Sequence, residues 1–286
     1  MTTYRPTWSH AAVFDRSAGE VRIASYHHRQ NQQQEVRIKI PAPLPSLSAS
    51  ENELLAATSV RGLFRGNTQG FKLYRPGCFS DAAIYQKIIY AIEDRKTTQI
   101  LHQGDLEHKL DIPAEVIAVT DGQIYLGTAI GEIYQWTDGK STLLRKLDIT
   151  EPRSLHILQN GIFAMHGKHA GAPMIHITNT SCGDLCPATG GTALAYARDS
   201  QDILLFATCG NEVSLSTFDG KISHLDSVDI KAPVANIAFD SVDNYLYALS
   251  PAQLTIYPIS KKRMLTDFKY ESIIGKSFAQ VKVMRQ

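Results

Sequence analysis

The 286-residue chain predicts an all-β fold in one domain, built from seven copies of a four-stranded antiparallel unit. Three observations carry this. A short phrase recurs along the chain. A strand–turn–strand pattern follows each joint that the phrase marks. A third apolar strand then follows in phase.

The phrase reads RIKIPAP (37–43), KLDIPAE (109–115), KLDITEP (146–152) and SVDIKAP (227–233). Lys39 to Asp111 is 72 residues, Asp111 to Asp148 is 37, and Asp148 to Asp229 is 81. Steps of about 36 to 40 residues therefore place two further joints near 77 and 190, a period characteristic of repeat architectures. Turn-rich breaks stand at both places, RPGCFSD (75–81) and CPATGGT (186–192). Proline closes or follows most copies, where a crossing linker needs a fixed φ and has no N–H to leave unpaired.

The strand pairs follow in order. They are AAVFDRSAGEVRIASY (11–26), PSLSASENELLAATS (45–59), AAIYQKIIYAIED (82–94), VIAVTDGQIYLGT (116–128), SLHILQNGIFAMHG (154–167), ALAYARDSQDILLFATC (193–209) and VANIAFDSVDNYLYALS (234–250). Asp, Asn, Gly or Ser sits at or near most of the turns and supplies the backbone conformations that hairpins need. Third strands stand in phase at GFKLYRPG (70–77), GEIYQWTDGK (131–140), MIHITN (174–179) and NEVSLSTFDGK (211–221), and the phrase closes the fourth. Four short strands per unit, seven times over, describe a single seven-bladed β-propeller. Its blades run over about 8–43, 44–78, 79–113, 114–151, 152–191, 192–231 and 232–275. The rival all-β arrangement, a pair of sandwiches, needs no sevenfold period.

The first blade shows three candidate strands, 10–15, 20–26 and 34–40. The tail FAQVKVMRQ (278–286) alternates Ala279, Val281 and Val283 with polar residues, as a half-buried strand does. This tail is expected to supply the missing strand and close the ring, since an open ring leaves unpaired edges.

The stretch DGQIYLGTAIGEIYQWTDGK (121–140) resembles a blade of the WD40-like or PQQ-like propellers. Trp136 stands where a WD40 blade keeps its Trp-Asp pair, with Thr137 in place of the Asp and no recurring Gly-His opener. The resemblance implies a rigid platform for protein–protein contacts, a scaffold or subunit of a larger assembly. It identifies no subfamily and implies no quinone.

The charge balance narrows the partners. With 29 basic and 28 acidic residues, bulk charge does not point to nucleic acid or to a membrane surface. The first ten residues, MTTYRPTWSH, lack the apolar core of a signal peptide. No apolar run approaches the ~18 residues that span a bilayer. Four cysteines are too few for a disulfide scaffold, and a cytoplasmic location is expected. Residues 261–286 hold seven Lys or Arg and two acidic residues, a net of +5. This reads as an edge strand guarded by lysines, with a basic partner-binding tail as the alternative.

The candidate binding residues come from the loops expected between second and third strands. Four of them carry cations: His27, His28 and Arg29; Arg61; Arg95 and Lys96; and Lys168 and His169. On one face these would attract an acidic protein segment or a phosphate backbone. His166, His169, His176, Cys182 and Cys186 are zinc-ligand types, but three residues separate the cysteines and the histidines scatter over two strands and a loop. Neither a zinc site nor a Cys182–Cys186 disulfide is expected.

No Gly-x-Ser-x-Gly elbow, phosphate loop, HExxH or EF-hand pattern is present. Inner strands are expected to begin with Ala11, Ser46, Ala82, Val116, Ser154, Ala193 and Val234, which give a channel metal little to hold. Asn236 is the polar exception. Asp111, Asp148 and Asp229 share a slot with Lys39, and a slot that accepts either charge reads as solvent-facing. The expectation is a non-catalytic propeller without metal or cofactor. The alternatives are a metal-dependent propeller hydrolase or lactonase, and a glycan- or peptide-binding lectin-like propeller. Trp8 and Trp136 are out of phase, which counts against the last.

Overall fold

The computed structural model describes residues 8–27, 32–40, 44, 46–50, 53–158, 161–179, 181–188, 192–196, 204–209, 212–218, 221–229, 234–240, 245–259, 270–274 and 278–284. In chain order the strands are β1 (Trp8–Asp15), β2 (Glu20–His27) and β3 (Gln32–Lys39), then β4 (Ser46–Ser50), β5 (Glu53–Thr58), β6 (Gly62–Asn67) and β7 (Gly70–Arg75). Next come β8 (Phe79–Tyr85), β9 (Ile88–Arg95), β10 (Thr98–Gln103), β11 (Leu106–Lys109), β12 (Val116–Thr120), β13 (Gln123–Gly127), β14 (Glu132–Thr137) and β15 (Lys140–Lys146). These are followed by β16 (Thr150–Leu158), β17 (Ile162–His169), β18 (Ala172–Thr178) and β19 (Gly183–Pro187). The chain ends with β20 (Thr192–Tyr196), β21 (Leu204–Cys209), β22 (Glu212–Phe218), β23 (Ile222–Asp229), β24 (Asn236–Asp240), β25 (Tyr245–Leu249), β26 (Gln253–Pro258), β27 (Tyr270–Ile274) and β28 (Phe278–Met284).

These strands pair into four-stranded antiparallel sheets, as expected. Their orders are β28-β1-β2-β3, β4 to β7, β8 to β11, β12 to β15, β16 to β19, β20 to β23 and β24 to β27. The chain divides into two compact units. One holds residues 1–40, 68–70 and 190–286, and the other 41–67 and 71–189.

In the second unit each middle strand is buried on both faces. Along β9, Ile89 and Ala91 pack with Leu55, Leu63 and Phe79, while Tyr90 and Ile92 pack with Leu101, Ile117, Leu126 and Trp136. A period-2 strand with both faces covered reads in sequence as a continuous apolar run, here IIYAI. The same division holds in the first unit for β25. There Leu246 and Ala248 pack with Val213, Leu215 and Ile237, and Tyr245, Tyr247 and Leu249 pack with Ala11, Val13 and Ala24.

The first strands of the second unit are tied in sequence. Ser48 Oγ donates to the Ala82 carbonyl, Ile117 N–H donates to Asp81 Oδ2 at 2.9 Å, and Thr120 Oγ1 donates to the Ile157 carbonyl at 3.0 Å. Two predicted hairpin turns are confirmed in detail. Asp121 and Gly122 have φ of 51° and 75°, and Asp138 and Gly139 have 51° and 84°. Both central residues of a type I′ turn require positive φ.

The C-terminal strand joins the first sheet, as the alternation in the tail predicts. Val281 lies opposite Val13, and Val283 opposite Ala11. Its position corrects the strand assignment, however. β28 packs against β24, the place that the first strand takes elsewhere, as in β20 against β24. The tail enters at the inner edge, so β1, β2 and β3 each move one place outward. Ala11 is therefore on a second strand, wholly buried, and does not begin an inner strand.

Candidate functional site

A four-stranded antiparallel sheet puts the turn between its second and third strands at the end where the fourth strand finishes. The chain crosses from there to the next sheet's first strand. In the second unit the four such turns lie at residues 59–61, 96–97, 128–131 and 170–171. They sit at the crossing end, and glycines seat them against the crossing chain. A Cβ on Gly131 (φ 82°) would run into the Leu147 and Ile149 carbonyls, and one on Gly62 (φ 127°) would lie 3.1 Å from Pro76 Cα.

This end carries five of the predicted cations. Arg61 is exposed in the β5–β6 turn, Arg95 ends β9, Lys96 follows it, and Lys168 and His169 end β17. Three of the five are engaged. Arg95 folds back along its sheet to Glu93 Oε2 at 2.8 Å and Glu107 Oε2 at 3.0 Å. Lys168 meets Glu151 at 2.5 Å, and His169 Nδ1 meets Asp148 at 3.1 Å. Among the described residues, Arg61 and Lys96 form no ion pair. Two large apolar side chains stand at the same end: Val60 is 60% exposed and Ile130 53%. Hydrophobicity in turns was not part of the expectation, though TSVRG and TAIGE show it plainly.

The His27 group does not belong to this class of turn. With β28 innermost, the sheet's second-to-third turn is 16–19, and the β2–β3 connection is its third-to-fourth. These two turns lie at opposite ends of the sheet. His28, Arg29 and the side chain of His27 lie outside the described residues. The 16–19 turn instead closes a buried ion cluster, in which Arg22 meets Asp15 at 2.8 Å and Glu20 at 2.9 Å.

The zinc-type residues are held separately. Buried His166 Nε2 donates to the Ala188 carbonyl at 2.9 Å, and His176 Nδ1 accepts Asp148 N–H at 3.0 Å. Ile175 and Ile177 are fully buried on the opposite face from His176, as the alternation predicts. Cys182 Sγ lies 3.2 Å from Asn179 Oδ1. Among the described residues no group of three or more His, Cys, Asp or Glu is placed to hold a metal.

A second ionic network escaped the sequence reading. His102, fully buried, lies 2.8 Å from Glu93 Oε2 and packs at a tilt against Phe79, with ring centroids 5.6 Å apart. Arg75 of β7 reaches Glu107 at 2.9 Å, so the network ties two sheets together. Burial alone would raise the Glu93 carboxyl, but hydrogen bonds from Arg95 and His102 hold it below the usual carboxylate range. Burial pushes the His102 imidazole down, against the opposing pull of Glu93. The signal in sequence was Glu93 and Arg95, two apart and so on one face of a strand.

Asp111 and Asp148 are exposed, as expected, yet not idle. Asp111 accepts Ser141 N–H at 3.1 Å and the Ser141 hydroxyl at 2.5 Å, which hold its carboxyl below the ordinary range.

Neither a family model nor a curated protein matches the chain. Solved structures do. A functionally unknown protein from Desulfotomaculum acetoxidans superposes with a TM-score of 0.67 at 11% identity, over 96% of this chain and 99% of that one. The WD40 β-propeller domain of Doa1 follows at 0.65 and 13%, covering 90% and 91%. The fold is a β-propeller. The β-propeller domain of Cps50 (Swd1) from Myceliophteria thermophila agrees, at 0.59 and 14%, covering 87% and 95%. No described helix is long and apolar enough to cross a membrane.

Proposed function

We propose that this propeller is a non-catalytic platform for protein–protein contacts, a subunit or scaffold of a larger assembly. We take its four-stranded sheets as propeller blades. The observation that carries the functional reading is the crossing end of the second unit. Val60 and Ile130 are exposed at this end, and so are Arg61 and Lys96. Protein interfaces combine apolar anchors with a polar, charged surround in this way. The titratable groups nearby support the same reading, since His166, His176, Glu93 and Asp81 are each committed to structural bonds. The two cations favour a partner whose matching surface is acidic.

The test is affinity capture from the native host, with the bound proteins identified by mass spectrometry. A stoichiometric partner is expected with the unaltered chain. Its recovery should fall at least about tenfold with Arg61→Glu/Lys96→Glu, the effect of losing roughly 1.4 kcal/mol. Recovery of free monomer alone, or metal-dependent esterase activity in the purified protein, would overturn the reading.

A further inference from the structure

Among the described residues β15 pairs with one strand, β14, and its outer edge has no strand beside it. Its sequence, KSTLLRK, contains no acidic residue, which it shares with the outer strand β7 and not with β11, β19 or β23. Thr142, Leu143 and Leu144 are all exposed, the leucines at 52% and 40%. Adjacent residues of a strand normally face opposite sides. Here Tyr134 pairs with Leu143 and Ile133 with Arg145, which makes Leu144 the extra residue of a bulge. The run from Lys140 to Leu143 is regular in its pairing.

That regular run already binds one carboxylate. Asp111 takes the Ser141 N–H, which therefore points away from β14. Two residues on, with no bulge between, the Leu143 N–H has the same outward direction. Lys140 and Lys146 flank the run, both exposed.

We propose that the β15 edge accepts an extended acidic segment of a partner protein, added as a fifth strand beside Leu143. Backbone hydrogen bonds supply affinity in this mode and side chains supply choice. The flanking lysines select acidic residues. A second copy of this chain fits less well, because antiparallel pairing of β15 with itself about Leu143 sets Lys140 against Lys146 at both ends. Like charges directly opposed are destabilising.

The probe is a fluorescein-labelled heptapeptide of alternating Glu and Val, titrated into the intact protein at low salt and read by anisotropy. Saturable binding is expected, with amide-exchange protection gained at Leu143. Leu143→Asp/Leu144→Asp should weaken binding at least about tenfold while leaving the melting temperature unchanged, since both side chains are exposed. Arg61→Glu/Lys96→Glu should leave binding unchanged, which separates this edge from the crossing-end surface. Four results would each overturn the proposal. They are no binding of the Glu/Val peptide, equal binding of a Lys/Val peptide, undiminished binding by the leucine variant, and a concentration-dependent dimer that this variant abolishes.

Discussion

In the joint that leaves β11, the carboxylate of Asp111 reaches the outer strand of the next sheet and takes two hydrogen bonds from Ser141. In the joint that leaves β15, the carboxylate of Asp148 faces His169, while its backbone N–H is accepted by His176. The two joints are written with the same four letters, KLDI. Their apolar residues behave alike: Leu110, Leu147 and Ile149 are all buried between sheets, and Ile112 packs against the same kind of core. The polar slot takes what the next sheet offers. Gly183 shows how, since a Cβ there would lie 2.8 Å from His176 Nε2. A glycine leaves the histidine its room. Packing sets the repeat, and local chemistry uses the position left over.

The largest test of this division is Leu147→Ala. It removes a buried side chain from a core that includes Val116, Ile133 and Leu155, and should cost about 2–5 kcal/mol by denaturant unfolding. Leu110→Ala should fall in the same range. A loss below about 1 kcal/mol at both sites would show that the apolar residues do not carry the joint.

A smaller effect separates the joints by pH. Burial lowers the His176 imidazole, and so it does for His10, His102 and His166. A histidine whose folded pKa lies below its unfolded value binds its proton more readily when unfolded. Stability should therefore be level above about pH 6.5 and fall as pH drops below it. His176→Asn keeps an acceptor for the Asp148 N–H and removes the proton site. Thermal melts between pH 7 and 5 should show a shallower fall for this variant. An unchanged slope would remove His176 from the account.

The smallest effects are expected at the aspartates themselves. Asp111→Ala loses two hydrogen bonds on an exposed surface, worth up to about 1 kcal/mol. Asp148→Ala loses an exposed contact with His169, worth close to zero. A larger loss at Asp148 than at Asp111, read from the same unfolding curves, would reverse the ranking.

Much of the fold was legible because it is local. Strand alternation, Asp-Gly turns and the strand character of residues 278–284 all follow from near neighbours in sequence. The strand order of the first sheet was not, because it depends on where a segment some 270 residues away returns. That one fact moves the His27 group to another class of turn. The cationic surface was half legible. Position along the chain placed Arg95 correctly, but its side chain folds back to Glu93 and Glu107, a choice made by face and reach. Val60 and Ile130 stand in turns, where an apolar residue belongs to no strand period and its exposure is set by the fold.

The platform reading and the joint reading meet in one measurement: quantitative capture of the native partner by three forms of the chain, with melting temperatures recorded beside it. The account predicts that Arg61→Glu/Lys96→Glu loses the partner and keeps its melting temperature, while Asp111→Ala keeps the partner and melts slightly lower than the unaltered chain. Retention of the partner by the charge-reversed form, or its loss on Asp111→Ala, would contradict it.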